Sequence, residues 1–250
     1  MKHTSRTAIK SIAVYAVFAP AFAGFAINAS AQGTCTAQSG DKITPVVELY
    51  TSEGCSSCPP ADAWASTLKP QAQKGEVVVQ AFHVGYWDYI GWVDRFAAPA
   101  HTQRQRQLSA ANQLNNIYTP QFVLNGRDWR GAKSAPQATE KAQTNLSLRQ
   151  TKANSFEASV TPTDPATPWA AYWSTTEHAH ASKVTAGENK GEALQHDFVV
   201  RQYVPVGQYQ GAHTLRFDAI AANPKPPRQV NLVVFDPRTQ KTLQAITLGC

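Results

Sequence analysis

Pro45–Asp62, PVVELYTSEGCSSCPPAD, decides the fold. Val46, Val47, Leu49 and Tyr50 make a short apolar run that reads as a buried strand over Pro45–Thr51. Ser52-Glu53-Gly54 then turns the chain into Cys55-Ser56-Ser57-Cys58. Pro59-Pro60 opens a helix, because proline's fixed φ and missing N–H suit a first turn, and Ala61 to Leu68 continue it. Gly75 ends this stretch, and Glu76–Val84 reads as a second strand through Val77, Val78, Val79, Ala81 and Phe82. Strand–helix–strand is the unit that builds a parallel sheet.

Downstream, Tyr86-Trp87-Asp88-Tyr89-Ile90-Gly91-Trp92 reads as an aromatic loop and Pro99–Asn112 as a helix. Within that helix Arg104 and Arg106 alternate with Gln103, Gln105 and Gln107, which reads as a solvated face. Thr119-Pro120 leads into a short strand, Phe122–Leu124. Asn125-Gly126 is a hairpin signal, with Trp129 expected on the returning strand. Ala135–Leu148 is expected to be helical from the spacing of Ala138, Ala142, Leu146 and Leu148. From Thr151 the texture changes to short β-branched or aromatic runs at Ser155–Val160, Trp169–Thr175, Asp197–Val204, Thr214–Ile220, Val230–Phe235 and Leu243–Leu248. Pro, Gly, Asp and Asn clusters separate them, an all-β pattern. The expected architecture is an α/β thioredoxin-like domain over 45–150, a parallel or mixed sheet with flanking helices. A small β-rich, sandwich-like domain over 151–250 is expected to follow it.

The N-terminus reads as an export signal over 1–31. Lys2, Arg6 and Lys10 precede an uncharged apolar run, Ile12–Ile27, and Ala29-Ser30-Ala31 fits cleavage before Gln32. Residues 32–44 form a leading segment. The run falls short of the ~20 residues that span a bilayer, and Pro20 and Gly24 interrupt it, so no membrane span is expected after processing. The protein is expected to be exported, to the periplasm or beyond. The formal charge of +6 drops to about +3 once the three signal cations are gone, too mild to imply a nucleic-acid partner. About 219 residues remain, room for two small domains. Six tryptophans supply a packed core and set disorder aside.

All four cysteines survive cleavage and enter a compartment where disulfides persist. A C-x-x-C can be a structural disulfide, half a metal site or a redox pair. Its place after a strand and at the head of a helix favours the redox pair, because helix amides and the helix dipole favour a thiolate, the attacking species in disulfide exchange. Cys55 is then the exposed nucleophile and Cys58, one turn further in, the resolving thiol. Pro120 precedes an apolar strand where a thioredoxin fold carries a cis-proline, which holds an open backbone edge beside the sulfurs for a peptide client. Thr119, Tyr86 and Trp87 are the expected client-binding neighbours. With Cys55 and Cys58 paired, Cys35 and Cys250 are left over and are expected to form a structural disulfide.

Glu48–Asp62, with its GCSSCPPAD core, resembles the signature of a bacterial family, domain of unknown function 1223. So do Phe82-His83-Val84 with Tyr86–Trp92, Thr119-Pro120-Gln121 with Asn125-Gly126, and Gly187-Glu188-Asn189-Lys190-Gly191 with His196 and Val199-Val200-Arg201. The resemblance implies a secreted thioredoxin-like domain followed by a β-rich part, and it supplies no substrate. Relative to well-studied thioredoxins, Gly54 replaces a tryptophan before the first cysteine and Ser56-Ser57 replaces Gly-Pro. Glu53 opposes thiolate formation unless it points away.

The reading is a thiol–disulfide oxidoreductase acting on protein thiols. The first alternative is a non-catalytic binding or assembly module of the same fold with a stable disulfide. The second is a copper or other metal carrier using Cys55, Cys58 and His83. No cofactor is expected: a Gly-rich phosphate loop is absent, and so is the Gly-x-Ser-x-Gly elbow of a hydrolase. His178-Ala179-His180 would set two imidazoles on one side of a strand, with His196 as a possible third. Asp88 suits a turn or a proton acceptor, and Glu188 and Arg201 suit a structural pair or an interaction surface.

Overall fold

The computed structural model describes residues 1–3, 35–130, 134–223 and 227–249. In chain order the elements are β1 (Thr36–Gln38), β2 (Val46–Thr51), α1 (Pro59–Ser66), α2 (Lys69–Gln73), β3 (Val78–His83), a 3-10 turn (Asp88–Ile90), α3 (Pro99–Ala111), β4 (Gln121–Leu124), β5 (Arg127–Asp128), β6 (Thr144–Lys152) and β7 (Ser155–Pro162). There follow β8 (Pro168–Glu177), β9 (His180–Lys183), β10 (Ala193–His196), β11 (Val199–Gln210), β12 (His213–Asp218), β13 (Arg228–Phe235) and β14 (Thr242–Leu248). No described helix is long and apolar enough to cross a membrane.

Eight strands form one mixed sheet in the order β14-β13-β8-β11-β3-β2-β4-β5. β2 and β3 pair in parallel, as the strand–helix–strand reading requires. β3 meets β11 in a parallel contact at Ala81↔Val199, and the other neighbours are antiparallel. β2 and β3 are buried along their whole length, which is why they read as apolar runs without alternation. Alternate residues of β8 feed opposite faces. Trp169, Ala171 and Trp173 pack toward the antiparallel sheet β1-β6-β7-β12, where Trp173 stacks on Phe217 at 5.1 Å. Tyr172 points the other way, toward Tyr50, Phe82, Val233 and Leu108 of α3. α1 and α2 cover Val47, Leu49, Val77 and Val79 on the face that Trp173 shares.

This overturns the expected fold class. Among the described residues strands make up 43% and helix 14%, too little helix to flank a thioredoxin-like α/β sheet. Strands expected in the C-terminal sandwich instead extend the sheet that carries Cys55. The reason is visible at β11: its parallel contact with β3 gives β3 a second neighbour. The expected helix at Ala135–Leu148 is also absent. Thr144, Leu146 and Leu148 are buried at a period of two, and from Thr144 the chain pairs with β7 as β6. The hairpin at Asn125-Gly126 forms, but its return strand is only Arg127–Asp128; Trp129 lies beyond it, edge-on to Trp64 and Phe122.

The face toward α3 carries a buried polar strip, and it corrects the reading of Arg104. That side chain is 3% exposed, whereas Arg106 is solvent-facing. Arg104 donates twice to Glu48, at 3.0 and 2.6 Å, and lies over the Tyr172 ring at 4.3 Å. The hydroxyls of Tyr50 and Tyr172 donate to the same carboxylate at 2.6 and 2.9 Å. Glu48 is thus a buried anion with its acceptor sites filled, the condition under which burying one is tolerable.

Candidate functional site

β2 ends at Thr51, and the chain turns so that the Cys55 amide donates to the Ser52 carbonyl at 3.1 Å and the Cys58 amide to the Cys55 carbonyl at 3.2 Å. Cys58 caps α1, Pro59 and Pro60 fill its first turn, and Cys55 and Cys58 form a disulfide. The expected exposure of Cys55 is not found: it is 1% exposed and Cys58 0%. Side chains from two other loops hold this turn. Trp87 lies against Gly54, where an added Cβ would meet the Trp87 Cβ at 3.0 Å. Asn189 Nδ2 donates to the carbonyls of Glu53 and Cys55 at 2.9 and 3.0 Å, and Glu188 Oε2 accepts the Ser56 amide at 2.9 Å.

The Thr119–Pro120 bond is cis. Gln121, the next residue, pairs with Tyr50, which brings Pro120 beside the end of β2 where the cysteine turn begins. Trp87 Nε1 donates to Thr119 Oγ1 at 2.7 Å, so one tryptophan reaches both Gly54 and Thr119. Tyr86 is half-buried against the cluster of Tyr50 and Phe82. Tyr89 and Val93 are the exposed large side chains of this loop. Cys250 lies outside the described residues, and with it the Cys35–Cys250 bridge; so do residues 4–31 of the expected signal segment.

Beneath the motif lies a cluster of ionisable side chains. Glu53 points inward, which answers the question its position raised: Trp92 Nε1 donates to Oε2 at 2.7 Å and His196 Nε2 to Oε1 at 3.1 Å. Burial pushes its carboxyl up, but the bonds from His196 and Trp92 prevail and hold it below the usual range. His83 Nδ1 donates to Asp94 Oδ2 at 2.7 Å, and the same oxygen takes the Glu53 amide at 2.9 Å. Burial opposes charge on His83, yet Asp94 outweighs it and raises the imidazole. Asp62, one helical turn after Cys58, accepts from Thr51 Oγ1 at 3.0 Å, and burial raises its carboxyl despite His83 and His196. The His83 and His196 rings stand edge to face at 4.9 Å, and His83 Nε2 and His196 Nδ1 are buried without a partner.

The structure brings together Cys55, Cys58, Pro120, Thr119, Trp87, Glu53, Glu188 and His196 from the residues the sequence singled out. His83 joins them through Asp94. Among the described residues no group of three His, Cys, Asp or Glu side chains is arranged to hold a metal. His178 and His180 do not share a strand, because β8 ends at Glu177 and Ala179 has a φ of 56°. Asp88 accepts the Asp94 amide at 3.2 Å, and Arg201 lies 3.7 Å from Glu177. Sequence reasoning missed Asp62, Asp94 and any role for Asn189. The i, i+4 step from Cys58 was the signal for Asp62, and the flanking Gly187 and Gly191 were the signal for Asn189. A cleft of about 810 Å³ lies elsewhere, lined by Lys69, His178, Asp197 and Arg228, with Lys69 and Asp197 already paired at 2.8 Å.

Comparisons with known proteins follow the same outline. A family model described as a protein of unknown function, DUF1223, matches residues 46–235. An X-ray structure of an Agrobacterium tumefaciens protein is similar at 25% identity and a TM-score of 0.64, covering 84% of this chain and 96% of that one. HBP35 of Porphyromonas gingivalis is similar in fold at 14% identity and a TM-score of 0.57, covering 83% of this chain and 75% of that one. Among curated proteins none matches.

Proposed function

The chain belongs to the DUF1223 family of proteins of unknown function, and from that premise we propose that it is a thiol–disulfide oxidoreductase acting on exported proteins. The observation that carries this reading is the Cys55–Cys58 disulfide at the junction of β2 and α1, next to the edge that starts at Pro120. In the reduced pair the Cys55 thiolate attacks one sulfur of a client disulfide. That bond breaks, the departing client sulfur takes a proton, and a mixed disulfide joins Cys55 to the client. Cys58 then gives up its proton and attacks Cys55 Sγ, so the client leaves as a dithiol and the pair is oxidised by the two electrons the client gains. The same steps run backward for a client dithiol. Pro120 and Thr119 offer the client a backbone edge, and Trp87 and Tyr86 an apolar contact. Export with processing after Ala31 belongs to this proposal, since such clients reside where disulfides persist.

The burial of both sulfurs favours a second reading, a binding module whose disulfide is permanent. Trapping separates the two. Cys58→Ala should accumulate mixed disulfides through Cys55, because nothing remains to release them, and Cys55→Ala should abolish them. Diagonal non-reducing gels of the exported fraction read this directly. No trapped partner, together with a native pair that resists glutathione, would replace the oxidoreductase by the module.

A further inference from the structure

A thiolate at the head of a helix draws on free amides there, and this motif has few to offer. Pro59 and Pro60 have no N–H. The Cys58 amide is bonded to the Cys55 carbonyl, and those of Ala61 and Asp62 to the Cys58 carbonyl. The Ser56 amide is taken by the Glu188 carboxylate at 2.9 Å. Glu188 is held there by construction: its neighbour Asn189, 5% exposed, is clamped to the Glu53 and Cys55 carbonyls. Gly187 packs so closely on Ile90 that a Cβ would meet its Cδ1 at 3.2 Å, and with φ of +73° it favours glycine on backbone grounds as well. The Ser56 amide in turn holds the Glu188 carboxyl below the usual range, which keeps an anion on the residue that follows Cys55.

We propose that Glu188 is a positioning residue that biases the pair toward the disulfide, by occupying the Ser56 amide and setting a negative charge where the Cys55 thiolate would form. A like charge nearby disfavours the thiolate, and a less stable thiolate makes the dithiol less stable relative to the disulfide. The inference rests on the exchange chemistry proposed above and gives it a direction. The pair is poised as a donor of electrons to client disulfides and needs a dithiol donor to return it to the reduced form.

The test uses the full-length processed protein with Glu188→Gln, which removes the charge and keeps an acceptor, and Glu188→Ala, which removes both. Each is equilibrated with mixtures of reduced and oxidised glutathione, where two glutathione thiols convert the protein disulfide to a dithiol and one glutathione disulfide. At a pH above the Cys55 midpoint, both variants should shift the equilibrium toward the dithiol by about tenfold, 29.6 mV for this two-electron couple. A purely structural role would leave Glu188→Gln like the unaltered protein, and that result overturns the proposal. A second readout works whether or not glutathione equilibrates. In proteins carrying Cys58→Ala, the ultraviolet absorbance of the Cys55 thiolate is titrated, and both Glu188 variants should form it at lower pH. Coincident midpoints overturn the proposal. Failure of the unaltered protein to equilibrate, with midpoints that do move, overturns the oxidoreductase reading alone.

Discussion

Replacing Arg104 with methionine tests the buried polar strip against the surface reading of the same residue. Methionine keeps most of the volume, so the change removes charge and donors with little cavity. Two hydrogen bonds to Glu48 disappear, and that carboxylate, 2% exposed, loses its cation. Breaking a buried pair from one side costs about 3–5 kcal/mol. Tyr50 and Tyr172 continue to donate to Glu48, which places the expected loss near the lower end, about 3 kcal/mol. For a chain of this size each kcal/mol moves Tm by about 2–4 °C, so a fall of about 6–12 °C is expected. Arg106→Met is the internal control: it faces solvent and should stay within about 0.5 kcal/mol. Adding Glu48→Gln to Arg104→Met should recover much of the loss, because the stranded charge is gone while an acceptor for the tyrosines remains. Urea unfolding at pH 7 measures all four proteins. Arg104→Met that unfolds with the Arg106 control would refute the buried-pair account.

Asp62→Asn should stabilise the protein at pH 7. Burial raises the Asp62 carboxyl, so its contribution to stability is complete below the unfolded carboxylate range and is lost as pH rises through the folded value. At neutral pH the aspartate therefore carries a cost that asparagine lacks, while the bond from Thr51 survives on the amide oxygen. A gain on the order of 1 kcal/mol at pH 7 that vanishes near pH 4 is expected, read from urea midpoints across that range; a variant less stable at every pH would contradict it. Non-reducing peptide mapping should return Cys35 joined to Cys250, a closure contributing up to ~5 kcal/mol in the chain-entropy account, and a free Cys250 thiol would rule the bridge out. Intact mass of exported material should begin at Gln32, and a retained Met1 would exclude the processing proposed here.

The local elements around the motif were legible because each announces itself over a short window. The apolar run before Thr51, two prolines at a helix start, and Asn125-Gly126 between apolar segments are all local signals, and β2, α1 and the hairpin formed where they pointed. What failed was long-range. Nothing in Val199–Gln210 says that its first residues lie parallel to β3, so the C-terminal strands read as a sandwich of their own. Arg104 failed for a related reason: a buried arginine looks like a surface one until its partner, 56 residues away, is known. In the site, both side chains that hold the Cys55 turn come from distant segments. Trp87 could be named from its aromatic loop, but for Asn189 the flanking Gly187 and Gly191 mark only a turn and say nothing of the carbonyls its side-chain amide reaches.

The clamp on the Cys55 carbonyl arrives from 134 residues further along the chain. Strand–helix contacts around the cysteines close short loops, whereas seating Asn189 closes a long one and is expected to come later. Cys55 therefore keeps time for folding. In a reduced chain released from denaturant, a pulse of alkylating reagent should label it freely at first and slowly once the 187–191 loop has docked. The interval between those two regimes is when its choice of sulfur partner is made, and any lesion that delays the second half of the chain lengthens the period in which Cys55 can be captured by another molecule.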